Sequence, residues 1–218
     1  MRLGLFGGTF DPIHVGHLDV ARVAEQALGL DRVWLIPARV PPHRHAPQAS
    51  AAHRFAMTSL AVQGTDHLLV SDVEMDVDGP SYTAETLDRL QARGVDLTSA
   101  FFIIGADAFR DIAAWRAYPA VLDRCHFAVV SRPGLPASTL RHALSGLAPR
   151  MVDAPPAGTN APFTIPARAS ILLVDRPTSP ISSTDVRRSL ASGEPITGMV
   201  PDSVADHIRR HALYAATH

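Results

Sequence analysis

The N-terminal stretch of the chain constrains the fold more than any other feature. Apolar residues 3–6 run directly into Gly7 and Gly8, and an amphipathic segment follows. This order is typical of a buried strand, a phosphate loop and a helix. The two glycines let the backbone turn sharply beside a bulky ligand, and the N–H groups of Gly8, Thr9 and Phe10 can then point into one concavity that binds oxyanions. The stretch therefore predicts a phosphate site.

Two histidines extend this predicted site. Pro12 suits the approach to a helix whose unpaired first-turn N–H groups face the same place, and His14 and His17 put both imidazoles near that end. Paired glycines alone are most often a turn, and a lone histidine there is most often a cap, so the combination carries the prediction. A zinc site would need two further ligands. The run also lacks the glycine fingerprints of Rossmann dehydrogenases and P-loop NTPases.

Composition excludes several classes of function. The chain has 218 residues, 46% hydrophobic and 19% charged, with a net charge of −1. There is no basic field to hold a nucleic acid and no polybasic patch for a membrane surface. Cys125 is the only cysteine, so no intrachain disulfide can form, and no apolar run reaches the length of a membrane span. We expect one cytoplasmic domain over residues 1–218.

Strand and helix patterns alternate along the chain. Apolar runs predict strands at 32–37, 68–73, 99–104 and 170–174, and a further strand that ends in a turn at 126–134. Amphipathic segments predict helices at 15–28, 51–62, 81–90 with its end at Gly94, and 202–214. This alternation predicts an α/β fold: a Rossmann-like, doubly wound parallel sheet with helices on both faces and a small C-terminal helical portion. The Pro/Ala-rich segment at about 135–169 predicts a short helix at 139–147 and then a loose surface excursion.

Polar residues recur where the predicted strands end, which is where such sheets bind ligands. Two prolines make residues 38–49 a loop with cationic side chains. The helix that starts at Ser81 has Ser81 or Thr83 as a natural cap, and its N-terminus is either simply capped or receives an anion. Asp107 could equally bind ribose hydroxyls or cap a helix, and Trp115 could be core or a stacking platform.

The last strand leads into a helix with a similar ambiguity. Ser182 with Asp185 forms a capping-box pattern, which would explain the run without any ligand. Arg187, however, lies within the first turns of that helix. A positive charge is disfavoured near a helix N-terminus unless an anion is present.

Taken together, the motifs resemble those of the bacterial nicotinate-nucleotide adenylyltransferases, members of the H-x-G-H nucleotidyltransferase superfamily. They are G-G-T-F-D-P-I-H-V-G-H at 7–17, P-P-H-R at 41–44, G-P-S-Y-T at 79–83, I-G-A-D at 104–107 and I-S-S-T-D-V-R at 181–187. The resemblance runs from Met1 to the last helix. Two departures are Arg44, where the family commonly has lysine, and the long Pro-rich excursion.

The resemblance implies transfer of the adenylyl group of ATP to nicotinate mononucleotide, with Mg²⁺ held by phosphates rather than by protein side chains. It implies direct in-line attack, with His17 at the α-phosphate and His14 and Arg187 at the triphosphate or the leaving pyrophosphate. The implied ATP site comprises Gly8, Thr9, Phe10, His14, His17, Arg44, Gly105, Asp107, Ser182, Ser183 and Arg187. Thr83 and Tyr82 would bind the nicotinate carboxylate through backbone N–H groups, and Trp115 would stack on the pyridine ring.

Two other functions remain open from the sequence. A pantetheine-phosphate adenylyltransferase shares H-x-G-H, but its chains are shorter and lack G-P-S-Y-T. A nucleotide-binding sensor could have kept the fold and lost the chemistry, although the intact His14, His17 and Arg187 argue against it.

Overall fold

The computed structural model describes residues 1–42, 46–156 and 163–215. Within these ranges the strands are β1 (Leu3–Gly8), β2 (Arg32–Pro37), β3 (Leu68–Val70), β4 (Ala100–Gly105), β5 (His126–Val130), β6 (Met151–Asp153) and β7 (Ile171–Val174). The helices are α1 (Val15–Leu28), α2 (Ala51–Ala61), α3 (Thr83–Ala92), α4 (Ala106–Phe109), α5 (Leu140–Ala143), α6 (Ser183–Ala191) and α7 (Asp202–Arg210), and short 3₁₀ turns complete the connections.

All seven strands form one parallel sheet in the order β3-β2-β1-β4-β5-β7-β6. The strand order reverses between β1 and β4, so their carboxyl ends flank a crevice of the kind that binds ligands in open α/β sheets. The predicted Rossmann-like, doubly wound fold is therefore confirmed.

The central strand β4 shows why the sheet is covered on both faces. Its six residues are all buried. Successive side chains point to opposite faces of a strand. Phe101 and Ile103 accordingly belong to the hydrophobic cluster that includes α1, α2 and α7, whereas Phe102 and Ile104 belong to the cluster that includes α3 and α4.

The Pro/Ala-rich segment is more ordered than predicted at its middle. Residues 151–153 form the edge strand β6, paired with β7 from Met151 opposite Ile171 to Asp153 opposite Leu173. A three-residue strand is too short to show a periodicity in sequence. The predicted helix at 139–147 is reduced to α5 with a 3₁₀ turn on each side, and Pro149 lies inside the second turn. Residues 157–162 lie outside the described ranges.

Two other predicted elements are too long. β3 ends at Val70 rather than at residue 73, because the polar residues Ser71 and Asp72 follow Val70 directly. α7 ends at Arg210, because Ala212 and Tyr214 adopt left-handed backbone angles, with φ of 48° and 62°. These turns bring Tyr214 back against the core, where it is only 9% exposed.

Among the described residues, no helix is both long enough and apolar enough to span a bilayer.

Candidate active site

A cleft of about 960 Å³ opens beyond the carboxyl ends of β1 and β4. It lies at the point where the strand order reverses, as the fold predicts. Most of the residues expected at the ATP site line it, namely Gly8, Thr9, Phe10, His17, Gly105, Asp107, Ser183 and Arg187. The structure therefore brings together residues as distant in the chain as Gly8 and Arg187.

The two glycines of the phosphate loop serve a different purpose from the one predicted. Gly7 and Gly8 continue β1 and pair with Ile36 and Pro37 of β2. The left-handed residue is Phe10, with φ of 50°. A Cβ on Gly8 would lie 2.7 Å from the Phe10 ring, so glycine is required for space. The turn is thus made by Phe10, whose buried ring occupies the room that the glycine leaves.

His14 and His17 lie one behind the other at the start of α1. Their ring centroids are 3.7 Å apart, and the two planes are inclined by 32°. His17 lines the cleft and meets the edge of Phe10 at 5.0 Å between centroids. His14 is 2% exposed and does not line the cleft. The predicted direct contact of His14 with the triphosphate therefore finds no support in this arrangement.

Burial has a clear electrostatic effect on His14. It lowers the pKa of the imidazole from 6.5 to about 4; the positive charge of Arg132 acts in the same direction, and the negative charge of the Asp185 carboxylate opposes both. The ring is therefore neutral at neutral pH. Gly16 makes this packing feasible, because a Cβ there would lie 2.7 Å from the Ile181 carbonyl and 3.1 Å from the His14 ring.

Asp11 ties the phosphate loop to three other segments, a role that the sequence did not reveal. Its carboxylate accepts hydrogen bonds from the backbone N–H groups of Gln48 at 2.8 Å and Ala49 at 3.1 Å, and from the Tyr214 hydroxyl at 2.7 Å. Its carbonyl accepts a hydrogen bond from Arg187 at 2.6 Å. A buried carboxylate with several donors is a strong anchor.

Arg54 of α2 is a second anchor that sequence reasoning missed. It is 1% exposed, and its guanidinium donates to the carbonyls of Thr9 at 2.7 Å, Ala38 at 2.6 Å, Arg39 at 2.9 Å and Ala49 at 3.2 Å. One signal was available: Arg54 precedes the buried residues Met57, Thr58 and Ala61 by three, four and seven positions, so it lies on the buried stripe of α2.

The start of α6 combines capping with contacts to the phosphate loop. The Ser182 hydroxyl accepts from the Asp185 N–H, and the Ser182 backbone N–H donates to the Asp185 carboxylate at 3.0 Å, which completes a capping box. Ser182 does not line the cleft, so its predicted phosphate contact is corrected to a structural cap. Ser183 donates to the Pro12 carbonyl at 2.9 Å. Arg187 is half-buried and lines the cleft, as predicted.

The far side of the cleft carries a pair of opposite charges. Asp107 of α4 lies 3.4 Å from Nε of Arg132, a cleft residue that the prediction did not assign. The N-terminus of α4 has no side-chain cap, so capping does not explain Asp107. A Cβ on Gly105 would collide with the Asp107 carboxylate and lie 2.8 Å from Arg132. A side chain at this position would therefore displace the Asp107–Arg132 pair.

The residues expected to bind the nicotinate moiety lie outside the cleft lining. Arg116 lies over the Tyr82 ring at 4.6 Å, which brings the Trp115 segment to the start of α3. Trp115 packs edge-on against Phe102, with ring centroids 6.1 Å apart. A Cβ on Gly7, which lines the cleft, would lie 3.3 Å from that same phenylalanine. Trp115 is thus separated from the cleft lining by Phe102, and the Arg116–Tyr82 contact joins its segment to the start of α3.

The backbone at the start of α3 requires one correction. The Tyr82 N–H donates to the Pro80 carbonyl at 3.1 Å, so it is already engaged. The first-turn N–H groups that lack an intrahelical partner begin at Thr83. Arg44, the remaining predicted residue, lies outside the described ranges.

Comparisons with known proteins identify the family of the chain. Residues 5–189 match the family model described as cytidylyltransferase-like. A protein of Pseudomonas aeruginosa is 38% identical over all of this chain and 99% of its own length, and one of Desulfatibacillum aliphaticivorans is 39% identical over 98% of this chain and its full length. Both are named as probable nicotinate-nucleotide adenylyltransferases.

A solved structure supports the fold independently. The nicotinic acid mononucleotide adenylyltransferase of Plasmodium falciparum, in complex with NaAD, superimposes with a TM-score of 0.72 at 17% identity, over 97% of this chain and 96% of that one. Given the full-length identity to the bacterial relatives, this chain belongs to the cytidylyltransferase-like family and, within it, to the nicotinate-nucleotide adenylyltransferases.

Proposed function

We propose that this protein is the enzyme that moves the adenylyl group of ATP to nicotinate mononucleotide, forming deamido-NAD and releasing pyrophosphate. The observation that carries the proposal is the convergence of His17 and Arg187 on the Gly8–Phe10 loop at the strand-order reversal of the sheet. We also propose that residues 1–218 act as a single nucleotidyltransferase domain.

The reaction asks the protein mainly to position two nucleotides and to neutralise charge. In direct in-line attack, an oxygen of the mononucleotide phosphate bonds to the α-phosphorus of ATP as the bond to the leaving pyrophosphate breaks. Such a transfer relies on preorganised donors rather than on a covalent intermediate. We assign His17 to the α-phosphate, because it lies at the cleft surface against the rigid ring of Phe10.

Arg187 is assigned to the β- and γ-phosphates. One guanidinium nitrogen donates to the Asp11 carbonyl and another is 3.3 Å from the Thr184 hydroxyl, so the head group is oriented before ATP binds. A guanidinium has five N–H donors, which leaves others for phosphate oxygens. Ser183 lies beside it in the cleft.

His14 is assigned a positioning role. It is neutral at physiological pH and stacks behind His17, so it would hold the His17 ring in place without carrying a positive charge itself. This assignment replaces the direct phosphate contact that the motif suggested.

Mg²⁺ is proposed to arrive with the ATP. The carboxylate of Asp11 is occupied by three protein donors, and that of Asp107 is paired with Arg132. The cleft therefore presents mainly N–H and cationic groups, which fit the phosphates rather than the metal. When bound, the ion would neutralise phosphate charge.

The nucleoside ends are assigned to the two sides of the cleft. Gly105 and Asp107 would hold the adenosine, with Asp107 accepting from ribose hydroxyls. The Thr83 N–H and the next amide of α3 would receive the nicotinate carboxylate, and Trp115 would stack on the pyridine ring. A neutral amide would leave one of those donors unpaired, at a cost of about 1–3 kcal/mol, and would lose a helix-dipole interaction of up to about 1–2 kcal/mol.

A panel of acceptors tests the proposal. Pyrophosphate release from ATP is measured with nicotinate mononucleotide, nicotinamide mononucleotide and pantetheine phosphate. The acid should be preferred over the amide by roughly 100-fold in kcat/KM, since each 1.4 kcal/mol corresponds to a factor of ten. Turnover of pantetheine phosphate alone would support the other adenylyltransferase, and nucleotide binding without turnover of any acceptor would support a sensor.

A further inference from the structure

Three histidines outside the cleft meet where α7 packs on α2. His53 lies in the first turn of α2, His207 in the last turn of α7, and His211 follows α7 directly. One ligand nitrogen from each ring lies within 4.8 Å of the other two. His207 and His211 are four positions apart, which places both on one side of the helix end. None of the three lines the cleft.

We propose that His53, His207 and His211 bind a single Zn²⁺ ion. The Nδ1 atom of His53 and the Nε2 atom of His207 are 3.1 Å apart. Two nitrogens at about 2.0–2.1 Å from a tetrahedral Zn²⁺ would be roughly 3.3 Å apart, so this pair already has a suitable separation. Imidazole is a preferred ligand of zinc, and three protein ligands leave the fourth position to water.

The His211 ring can become the third zinc ligand after only a small side-chain rotation. The ring centroid of His211 lies 4.4 Å from that of His207 and 4.8 Å from that of His53. His211 is exposed, so its side chain can rotate towards the other two without disturbing the core. A hydrogen bond between imidazoles accounts for His53 and His207 by themselves, but it gives no reason for the third ring to gather there.

The position of the site indicates what the ion would do. His53 precedes Arg54, which holds the carbonyl of Thr9 in the phosphate loop. His211 precedes Tyr214 by three positions, and the Tyr214 hydroxyl holds Asp11 of the same loop. A metal bound between them would fasten the C-terminal segment to α2, next to two anchors of the phosphate loop. The ion is therefore assigned a structural role.

Metal binding tests the site directly. Untagged protein, freed of metal by a chelator, is titrated with Zn²⁺ by calorimetry and with Co²⁺ by visible absorption, which reports tetrahedral coordination. We expect one ion per chain. His211→Ala removes an exposed ligand, so the variant should fold, and it should bind Zn²⁺ at least about 100-fold more weakly, since even loss of an outer partner costs 10- to 100-fold. His142→Ala, which removes an exposed histidine from α5, is the matched control and should bind as the unchanged protein does.

A stability measurement separates a metal site from a ring contact. Zn²⁺ at about 100 times its dissociation constant should shift the folding equilibrium about 100-fold and raise the unfolding midpoint by roughly 5–10 °C. Hydrogen exchange of the α7 amides should slow at the same time. Both effects should disappear in His211→Ala and persist in His142→Ala. Absence of Zn²⁺ binding, or equal binding by the two variants, would overturn the proposal.

Discussion

The contact between Tyr214 and Asp11 provides the sharpest test of how the phosphate loop is held. Tyr214→Phe deletes one hydroxyl and leaves the ring in place, so the hydrogen bond of 2.7 Å to the Asp11 carboxylate is the only interaction removed. Burial raises the pKa of the Tyr214 phenol well above its usual value, and the bond to Asp11 acts in the same direction. The hydroxyl is therefore a donor at every working pH.

The expected loss of stability follows from the charge of the acceptor. Hydrogen bonds to charged groups contribute about 1.5–3 kcal/mol. Asp11 keeps its two backbone donors, from Gln48 and Ala49, so we expect the lower part of that range, about 1.5–2 kcal/mol. For a chain of this size the unfolding midpoint should fall by roughly 3–8 °C.

The same change should reach the ATP site. The Asp11 carbonyl orients Arg187, and Gln48 lines the cleft, so loosening Asp11 should raise the KM for ATP several-fold with a smaller effect on kcat. Denaturant unfolding and steady-state kinetics measure the two effects. Tyr118→Phe is the matched control, because the Tyr118 hydroxyl makes no hydrogen bond within the described part of the chain. A loss below about 0.5 kcal/mol, the range of ordinary surface changes, would refute the anchoring role.

Three further predictions concern the histidines and Arg187. His17→Ala should lower kcat by roughly 10²- to 10³-fold, as loss of a preorganised donor does, with little change in ATP affinity; near-normal turnover would remove His17 from the mechanism. Arg187→Ala should weaken binding of ATP and pyrophosphate, and Arg187→Lys should restore only part of it, because a lysine cannot contact a phosphate and the Asp11 carbonyl in the same forked geometry; unchanged affinity in the alanine variant would make Arg187 a surface residue. His14 has a pKa of about 4 in the folded protein and 6.5 as its reference value. Between these values the unfolded chain binds more protons, so stability is complete above pH 6.5 and falls as the pH drops towards 4, by at most about 3 kcal/mol at 1.36 kcal/mol per unit. The free energy of unfolding of His14→Gln should decline less than that of the unchanged protein across that pH range. An equal decline would show that protonation of His14 is not its cause.

Several features of the site follow from short stretches of sequence. α1 occupies residues 15–28, as predicted, because its apolar periodicity runs unbroken to Gly29, which adopts a left-handed φ of 61° at the helix end. The continuous apolar run at 99–104 predicts a strand that is covered on both faces, and the corresponding strand β4 is buried at every residue. Local patterns were sufficient for α1 and for this strand, since each pattern is set by residues that are close together in the sequence.

Other predictions failed where a distant partner decides the role of a residue. Gly8 at the end of β1 leaves room for the ring of Phe10, and Phe10 itself adopts the left-handed backbone angle of the turn. The Tyr82 N–H is occupied by Pro80, and the Ser182 hydroxyl by Asp185, so neither group is available as predicted. Residue type and spacing identify a donor, but they do not tell whether the folded chain has already engaged it.

The sequence by itself determined the doubly wound sheet and the edge at which ligands bind, because hydrophobic periodicity and turn residues specify strand, loop and helix locally. Only the tertiary structure decided what holds the phosphate loop. Asp11 and Tyr214 are 203 positions apart, and Arg54 reaches carbonyls of two separate loops. Such contacts arise from packing across the core, and a buried polar group must find its partners wherever the fold brings them.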